Sequence, residues 1–148
     1  MQHPQKQILT KVIYTLLALI MVLPIAINGI VVYLNNKPPS AKQLNIQIVK
    51  EGCGKVTKTG DKVSVFYTGF LLNGTVFDSS VKHNNQTLDF TIGEGQLIKG
   101  FDAAVVGMKE GEARQVILTP DLAYGEQQTG SIPPNSTLLF EIELVKIN

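Results

Sequence analysis

Two stretches of the 148-residue chain combine ionisable and aromatic residues outside any regular helix or strand pattern. The first, 73–87, contains Phe77-Asp78-Ser79-Ser80, and the second, 120–136, contains Tyr124-Gly125 and Ile132-Pro133-Pro134. Loops of about 15 residues are uncommon unless they are functional or disordered. Because solvated loops have no need of aromatic and apolar side chains, these residue types favour a functional role for both stretches.

Residues suited to covalent or metal chemistry are almost absent. Cys53 is the only cysteine, which excludes an intrachain disulfide and a thiolate metal cluster. It lies in the turn Gly52-Cys53-Gly54 and is predicted to be an incidental loop thiol, with an intermolecular disulfide or a redox role as the alternative. His83 has no second ligand nearby and is predicted to be a solvated loop histidine. We therefore predict no metal site and no cofactor.

The composition fits one domain of ordinary core size plus an appendage, with 44% hydrophobic and 17% charged residues. Beyond residue 37 the chain has ten Lys and Arg residues against twelve Asp and Glu residues, a net charge near −2. This part of the chain shows no basic patch. The charge pattern therefore predicts that the protein does not bind nucleic acid.

The apolar appendage is Val12–Leu34, which has no charged residue over 23 positions. A helix of this length crosses a hydrocarbon layer about 30 Å thick. Lys6 and Lys11 precede it, as they do in a signal sequence or signal anchor. We predict an uncleaved transmembrane helix within 1–36. A removed signal peptide and a buried globular helix are the alternatives.

A short linker is predicted over 37–43, where Pro38-Pro39 holds the chain extended. The folded domain is predicted over 44–148. Its position after a short N-terminal tail and an anchor favours export of the domain across the membrane, although the lysines on the two sides of the anchor nearly balance.

One stretch of the domain, 93–112, has helical periodicity. Its apolar residues fall on one face of a 3.6-residue period: Leu97, Phe101, Ala104, Val105 and Met108. We predict a helix from about Leu97 to Val106, with Gly107 in the left-handed conformation that closes it. Ten residues are too few for a stable isolated helix, so the flanking segments must cover the apolar face.

Five other segments alternate apolar and polar residues with a period of two: Leu44–Ile48, Val63–Thr68, Leu88–Ile92, Val116–Leu118 and Leu138–Val145. This alternation indicates an antiparallel sheet with one face open to water. The predicted fold class is α+β, with a curved antiparallel five-stranded sheet wrapped around one short helix and the N-terminal transmembrane helix ahead of it.

Six motifs occur in the order and spacing of the FKBP-type peptidyl-prolyl cis-trans isomerases: Val65-Phe66-Tyr67-Thr68-Gly69, Gly74-Thr75-Val76-Phe77-Asp78-Ser79-Ser80, Leu97-Ile98-Lys99-Gly100-Phe101, Gly107-Met108-Lys109-Glu110-Gly111-Glu112, Leu122-Ala123-Tyr124-Gly125 and Ile132-Pro133-Pro134-Asn135-Ser136-Thr137-Leu138. The chain resembles this family from about Leu44 to Asn148. Six motifs in register are highly specific for this family. The chain resembles a membrane-anchored, single-domain member of it.

The resemblance implies an apolar pocket between sheet and helix that takes a proline side chain. It implies four catalytic residues, Tyr67, Asp78, Tyr124 and Ile98, the last through its backbone N–H. The substrate-binding residues that it implies are Phe77, Leu97, Phe101, Ile132, Phe140 and Phe90. Phe101 stands where the family usually has Trp, and Leu88 where it often has a second Phe. These departures bear on macrolide affinity and catalytic rate rather than on fold or reaction class.

Each of these residues also has a purely structural interpretation. Phe101 and Phe140 fit core positions on periodicity alone. Tyr67 is compatible with an ordinary strand tyrosine, and Asp78 with a turn or helix-cap residue. The motifs in register favour the functional interpretation.

The resemblance implies a prolyl isomerase whose partners are proline-containing polypeptides, with macrolides as inhibitors. A non-catalytic proline-peptide-binding or chaperone module tethered to the membrane is the alternative. Three glycosylation patterns, Asn73-Gly74-Thr75, Asn85-Gln86-Thr87 and Asn135-Ser136-Thr137, occur without an endoplasmic-reticulum retention tail. We therefore expect a protein of the bacterial inner membrane whose domain faces the periplasm or cell exterior. Because the sequence shows no long helical arm of the kind that some exported relatives use to dimerise, we expect a monomer.

Overall fold

A computed structural model describes residues 43–148 of the chain. In chain order, its elements are β1 Leu44–Lys50, β2 Lys62–Leu71, β3 Val76–Ser79, a 3₁₀ turn Ser80–His83, β4 Leu88–Thr91, α1 Lys99–Val105, β5 Ala113–Leu118, a 3₁₀ turn Pro120–Leu122 and β6 Leu138–Ile147. The predicted anchor over 1–36 and the linker up to residue 42 lie outside the described residues. No helix within 43–148 is both long and apolar enough to span a bilayer.

The strands form one antiparallel sheet in the order β1-β5-β6-β2-β3, and β4 also pairs with β2. The two short strands share β2, because β4 pairs with its first half and β3 with its second half. The predicted number of five strands is wrong for the described residues, which form six. The missing strand, β3, has four residues inside a stretch predicted to be a loop. That is too short for its alternation to stand out.

The buried core lies between α1 and one face of the sheet, which we call the inner face. Most of its members are apolar residues of β2, β5 and β6 together with the buried side of the helix: Val63, Val65, Val116, Leu118, Leu138, Phe140, Ile142, Leu144, Phe101, Ala104 and Val105. Gly100 allows the close approach of α1, because a Cβ atom there would lie 2.5 Å from Leu118 Cδ2. The predicted packing of sheet against helix is confirmed.

The helix α1 is held at both ends by side chains. At its start, the Asp102 carboxylate accepts hydrogen bonds of 2.9 and 3.0 Å from the Gly93 N–H. At its end, Arg114 Nη1 donates to the carbonyl oxygens of Ala104 and Val106. The helix is three residues shorter than predicted, and Gly107 beyond it has the expected positive φ of 77°. The Asp102 bonds hold the start of α1, which reaches the site, and the Arg114 bonds hold its far end.

The opposite face of the sheet, the outer face, is less open to water than the alternation predicted. Phe70, Gln115 and Leu139 point to this side and are buried. The prediction of a solvated face is therefore wrong at these positions. A period of two shows which residues share a face, but it carries no information about what covers that face.

Candidate active site

A cleft of about 390 Å³ opens between the start of α1 and the inner face of the sheet. We call it the aromatic cleft, and its lining residues come from six parts of the chain: Tyr67, Phe77, Asp78, Leu88, Gln96, Leu97, Ile98, Phe101, Tyr124 and Phe140. Small-molecule sites in proteins are typically concave and mostly apolar with a few placed polar groups. This cleft has that character.

The floor of the aromatic cleft is a cluster of edge-to-face rings around Phe101. Its ring centroid lies 5.3 Å from that of Phe140 and 6.0 Å from that of Tyr67. Such aromatic pairs add about 0.5–1.5 kcal/mol each beyond the area that they bury. Phe101 is on α1, whereas Phe140 and Tyr67 are on paired strands, so these contacts fix the helix against the sheet at the cleft.

One wall of the aromatic cleft depends on a glycine in β2. A Cβ atom on Gly69 would lie 2.4 Å from Phe77 Cζ and 3.0 Å from Phe140 Cε1. Only the missing side chain lets the ring of Phe77 pack edge-to-face on Phe140, at 5.6 Å between centroids. The glycine in the first of the six motifs therefore has a packing role in shaping the wall.

The polar side of the aromatic cleft is centred on the Asp78 carboxylate. Its Oδ2 accepts a 2.6 Å hydrogen bond from the Tyr67 hydroxyl, and its Oδ1 accepts a 2.8 Å bond from the Ser79 N–H and lies 3.0 Å from His83 Nε2. Partial burial raises the pKa of Asp78, but these hydrogen bonds together outweigh it and hold the pKa below its usual value. Asp78 is therefore a carboxylate at neutral pH.

The two tyrosines of the aromatic cleft remain neutral phenols. Partial burial, the hydrogen bond to Asp78 and the charge of Asp78 raise the pKa of Tyr67 well above its usual value. Partial burial and the same charge also raise the pKa of Tyr124. Both hydroxyls therefore keep their protons and can act as hydrogen-bond donors.

Tyr124 reaches the aromatic cleft from a loop held by backbone hydrogen bonds. The Gly125 N–H donates to the Pro120 carbonyl at 2.8 Å, and the Asn135 N–H donates to the Gly125 carbonyl at 2.8 Å. The first bond closes the turn that contains Tyr124, and the second ties that turn to the Ile132-Pro133-Pro134 segment. The long loop is thus an ordered support for the tyrosine.

Two donors in the aromatic cleft are not used by the protein itself. Within residues 43–148, neither the Tyr124 hydroxyl nor the Ile98 N–H makes a hydrogen bond. Ile98 lies immediately before α1 with φ −60° and ψ 143°, so its N–H is outside the helical hydrogen bonds. Both donors are available to a bound carbonyl group.

The structure brings eight of the ten predicted site residues to the aromatic cleft. The other two are absent from its lining. Phe90 lies behind Phe101, with 5.9 Å between ring centroids, and Ile132 is buried in the core cluster. Two lining residues, Leu88 and Gln96, were not predicted. Gln96 carried no sequence signal, because its place depends on a bond from the Thr91 N–H to its side-chain oxygen.

Among the described residues, no group of three His, Cys, Asp or Glu side chains is placed to hold a metal ion. Cys53 is exposed and unpaired. The groups that line the aromatic cleft can bind an apolar group, donate hydrogen bonds and present one fixed negative charge.

A comparison with known protein families identifies this arrangement. The model of the FKBP-type peptidyl-prolyl cis-trans isomerases matches residues 53–145. The chain belongs to this family. The match includes every residue of the aromatic cleft, and it confirms the resemblance inferred from the six motifs.

Individual relatives agree with the family assignment. FK506-binding protein 2 of Dictyostelium discoideum is 43% identical over 139 residues, covering 93% of this chain and 99% of that protein. An FK506-binding protein of Neisseria meningitidis serogroup B is 46% identical over 105 residues, covering 70% of this chain and 95% of that protein. The crystal structure of AtFKBP13 is similar with a TM-score of 0.66 at 35% identity, covering 71% of this chain and 93% of that one.

Proposed function

We propose that this FKBP-type isomerase binds the proline ring of its substrate in the aromatic cleft, where it lowers the barrier to rotation about the preceding peptide bond. The observation that carries the proposal is an apolar cleft of about 390 Å³ whose wall offers two unused donors, the Tyr124 hydroxyl and the Ile98 N–H. An apolar ring with an adjacent carbonyl group, as in an X-Pro segment, complements both features.

The physical basis is the loss of amide resonance during rotation. Resonance creates a barrier of about 18–20 kcal/mol, and unassisted X-Pro bonds isomerise in tens of seconds. In the twisted state the nitrogen regains its lone pair and the carbonyl loses resonance. A dry apolar wall with few directed donors favours this state over the planar one, since catalysis requires stronger binding of the transition state.

Each polar residue has a separate proposed role. The Ile98 N–H and the Tyr124 hydroxyl donate to substrate carbonyl groups and hold the peptide across the aromatic cleft. Asp78, fixed by Tyr67, acts through its negative charge on the twisted carbonyl group. Support for these roles is the hydrogen-bonded, ionised state of Asp78 and the unused state of the other two donors.

The role of the Ile98 N–H can be separated from that of its side chain. Both Ile98→Ala and Ile98→Pro remove the side chain, but only proline also removes the N–H, and the observed φ of −60° suits a proline. We expect kcat/KM for a capped X-Pro peptide to be about tenfold lower in Ile98→Pro than in Ile98→Ala. The reason is that a hydrogen bond between uncharged groups contributes about 1 kcal/mol or more. Equal activities in two folded variants would contradict this role.

The aromatic cleft is also the proposed site for macrolides of the FK506 type, which the names of the relatives mention. Phe101, in the place of the larger Trp, offers less ring surface at the floor. We expect FK506 to inhibit the isomerase, and Phe101→Trp to bind it more tightly by calorimetry. An FK506 affinity that falls in a stably folded Phe101→Trp variant would contradict the proposed floor position.

We further propose that Val12–Leu34 anchors the protein in a membrane with its domain on the exported side, where it acts on exported polypeptides. The segment has no charged residue. The similarity to the Dictyostelium relative covers 93% of this chain and therefore includes at least part of Val12–Leu34. The bacterial inner membrane predicted from the sequence is one such membrane.

Fractionation tests the anchoring. We expect the full chain to stay in the membrane pellet after alkaline carbonate extraction, and external protease to reach the domain without detergent. Release of a shortened protein into the supernatant would contradict an anchor and indicate a cleaved signal peptide. A protected domain would contradict the exported orientation.

A further inference from the structure

His83 is exposed, as predicted for a solvated histidine, but it also has a partner that the sequence did not predict. It ends the 3₁₀ turn Ser80–His83, and Asn84 follows in the left-handed conformation with φ 58°. This turn directs the His83 ring back along the chain, so that Nε2 lies 3.0 Å from Oδ1 of Asp78. An exposed histidine is therefore in direct contact with the charged residue of the aromatic cleft.

Two tyrosines near this contact stay protonated at neutral pH, and a lysine beside it is bound to the backbone. Tyr67 from β2 and Tyr124 from the facing loop have pKa values raised by partial burial first and by Asp78 second. Lys82, next to His83, donates from Nζ to the carbonyl oxygens of Val76 and Phe77. Histidine is the side chain whose charge ordinarily changes between about pH 5 and 8.

We propose that His83 is a positioning residue that makes the isomerase sensitive to pH through Asp78. When its imidazole is protonated, the cation 3.0 Å from Oδ1 offsets the negative charge that Asp78 presents to the aromatic cleft. When the imidazole is neutral, the full charge of the carboxylate acts on the twisted carbonyl group. The proposal rests on the electrostatic role of Asp78 proposed above.

The orientation of Asp78 does not depend on His83. The Tyr67 hydroxyl and the Ser79 N–H hold the two carboxylate oxygens from the other sides. Loss of the imidazole therefore changes the charge near the carboxylate without releasing it. The side chains of His83 and Asp78 are 60% and 39% exposed. Because exposed ion pairs are weak, the change in kcat/KM is about two- to fivefold.

The test is the pH profile of kcat/KM for the full chain in non-ionic detergent, measured by NMR exchange on a capped X-Pro peptide without ionisable groups. We expect a rise of about two- to fivefold between pH 5 and 8. His83→Gln should be flat at the upper level, because glutamine carries no charge. His83→Arg should be flat at the lower level, because arginine is always charged. A flat profile in the unmodified protein would overturn the proposal.

The other histidine of the chain provides the control, because the sequence contains only His3 and His83. The His3→Gln variant should keep the full pH dependence. Glu141 is the other group to exclude, because burial raises its pKa to about 7. Its side chain lies on the outer face, away from the aromatic cleft. A pH dependence that survives in His83→Gln and disappears in Glu141→Gln would assign the effect to Glu141 and overturn the proposal.

The Asp78→Asn variant separates this proposal from the one on which it rests. If both hold, Asp78→Asn has low activity and a flat profile. If Asp78 has no electrostatic role, Asp78→Asn keeps unmodified activity, and the basis of the His83 proposal is removed. If Asp78→Asn loses activity but His83→Gln retains the pH dependence, only the His83 proposal fails. Equal melting temperatures of the variants exclude a general loss of structure.

Discussion

Two carboxylates on opposite sides of the sheet have opposite properties. Asp78, at the aromatic cleft, accepts hydrogen bonds from Tyr67 and the Ser79 N–H, and its pKa is lowered. Glu141, on the outer face of β6, is mostly buried, and its pKa is raised to about 7. Its Oε1 has no hydrogen-bond partner in the described part of the chain. The surroundings of Asp78 favour the ionised carboxylate, whereas those of Glu141 favour the protonated carboxyl group.

The difference follows from the donors that each backbone position supplies. Asp78 is at the end of β3, where the chain turns and brings a free N–H and a histidine to the carboxylate. Glu141 is in the middle of β6, paired with Gln115 on β5 and Thr68 on β2. The backbone groups there are committed to the sheet, so burial dominates. Buried Glu141 therefore destabilises the outer face when it is ionised, whereas Asp78 stays ionised at the cleft.

A third acidic residue, on the inner side, gives the largest expected effect. Glu112 is fully buried and pairs with Arg114, at 2.6 Å between Oε1 and Nε. Arg114→Met leaves that carboxylate without its cation and the end of α1 without its donor. We expect a loss of about 3–5 kcal/mol in the free energy of unfolding by urea.

The exposed pair Lys50–Glu143 is the control for this prediction. Lys50→Met should cost less than about 1 kcal/mol, because solvent screens the pair. Similar losses for Arg114→Met and Lys50→Met would show that burial does not govern the energetics of charge in this domain.

The next largest effect is expected at Glu141. Its folded pKa, about 7, is above the ordinary value of 4.5, so the folded state binds the proton more tightly than the unfolded state. Its contribution to stability is therefore complete below about pH 4.5 and is lost as the pH rises through 7. Glu141→Gln should stabilise the protein by roughly 2 kcal/mol at pH 8, after allowance for partial exposure, and by little at pH 4.5.

Urea unfolding at these two pH values checks this prediction. Glu143→Gln is the control on the same strand and the same face, and it should give no gain at pH 8 because it breaks the pair with Lys50. A Glu141→Gln variant that is no more stable than the unmodified protein at pH 8 would remove the contrast between the two carboxylates.

The smallest effect on stability is expected at Tyr67. Tyr67→Phe keeps the ring against Phe101 but removes the hydrogen bond to Asp78. We expect a loss of about 1 kcal/mol at pH 7, since both groups are partly exposed. The loss should fade in acid, because a carboxylate with a lowered pKa contributes its stability above its unfolded pKa and loses it as the pH falls.

Tyr124→Phe is the control for Tyr67, because the Tyr124 hydroxyl makes no hydrogen bond within residues 43–148. Its unfolding free energy should be unchanged while kcat/KM falls. The opposite pattern, with Tyr124→Phe destabilised and fully active, would show that the hydroxyl serves the fold rather than the substrate.

Much of the fold could be predicted from the sequence, because its long elements have clear periods. The alternation along β2 and β6 and the helical stripe around Phe101 predicted the packing of α1 on the sheet. The motifs in register predicted most of the aromatic cleft. β3 was missed because four residues are too few to show a period. The start of α1 has no side-chain cap that the sequence could reveal, and the Arg114 side chain that bonds to the carbonyl groups at its end comes from β5.

The positions that could not be predicted are those set by tertiary contacts. Phe90 and Phe101 are both buried phenylalanines, so residue type does not show which of them faces the aromatic cleft. Gln96 faces it because of one bond to the backbone of β4. His83 meets Asp78 because the 3₁₀ turn Ser80–His83 brings it back beside β3. None of these outcomes depends on periodicity.

The most direct test of the central claim compares Phe101→Leu with Phe90→Leu in the full chain. The two rings are 3% and 4% exposed, so both changes should destabilise the fold to a similar degree, by about 1–3 kcal/mol. Only Phe101 lines the aromatic cleft. If this cleft holds the proline, isomerisation of an X-Pro peptide falls strongly in Phe101→Leu and little in Phe90→Leu. Equal activities of the two folded variants would contradict the account.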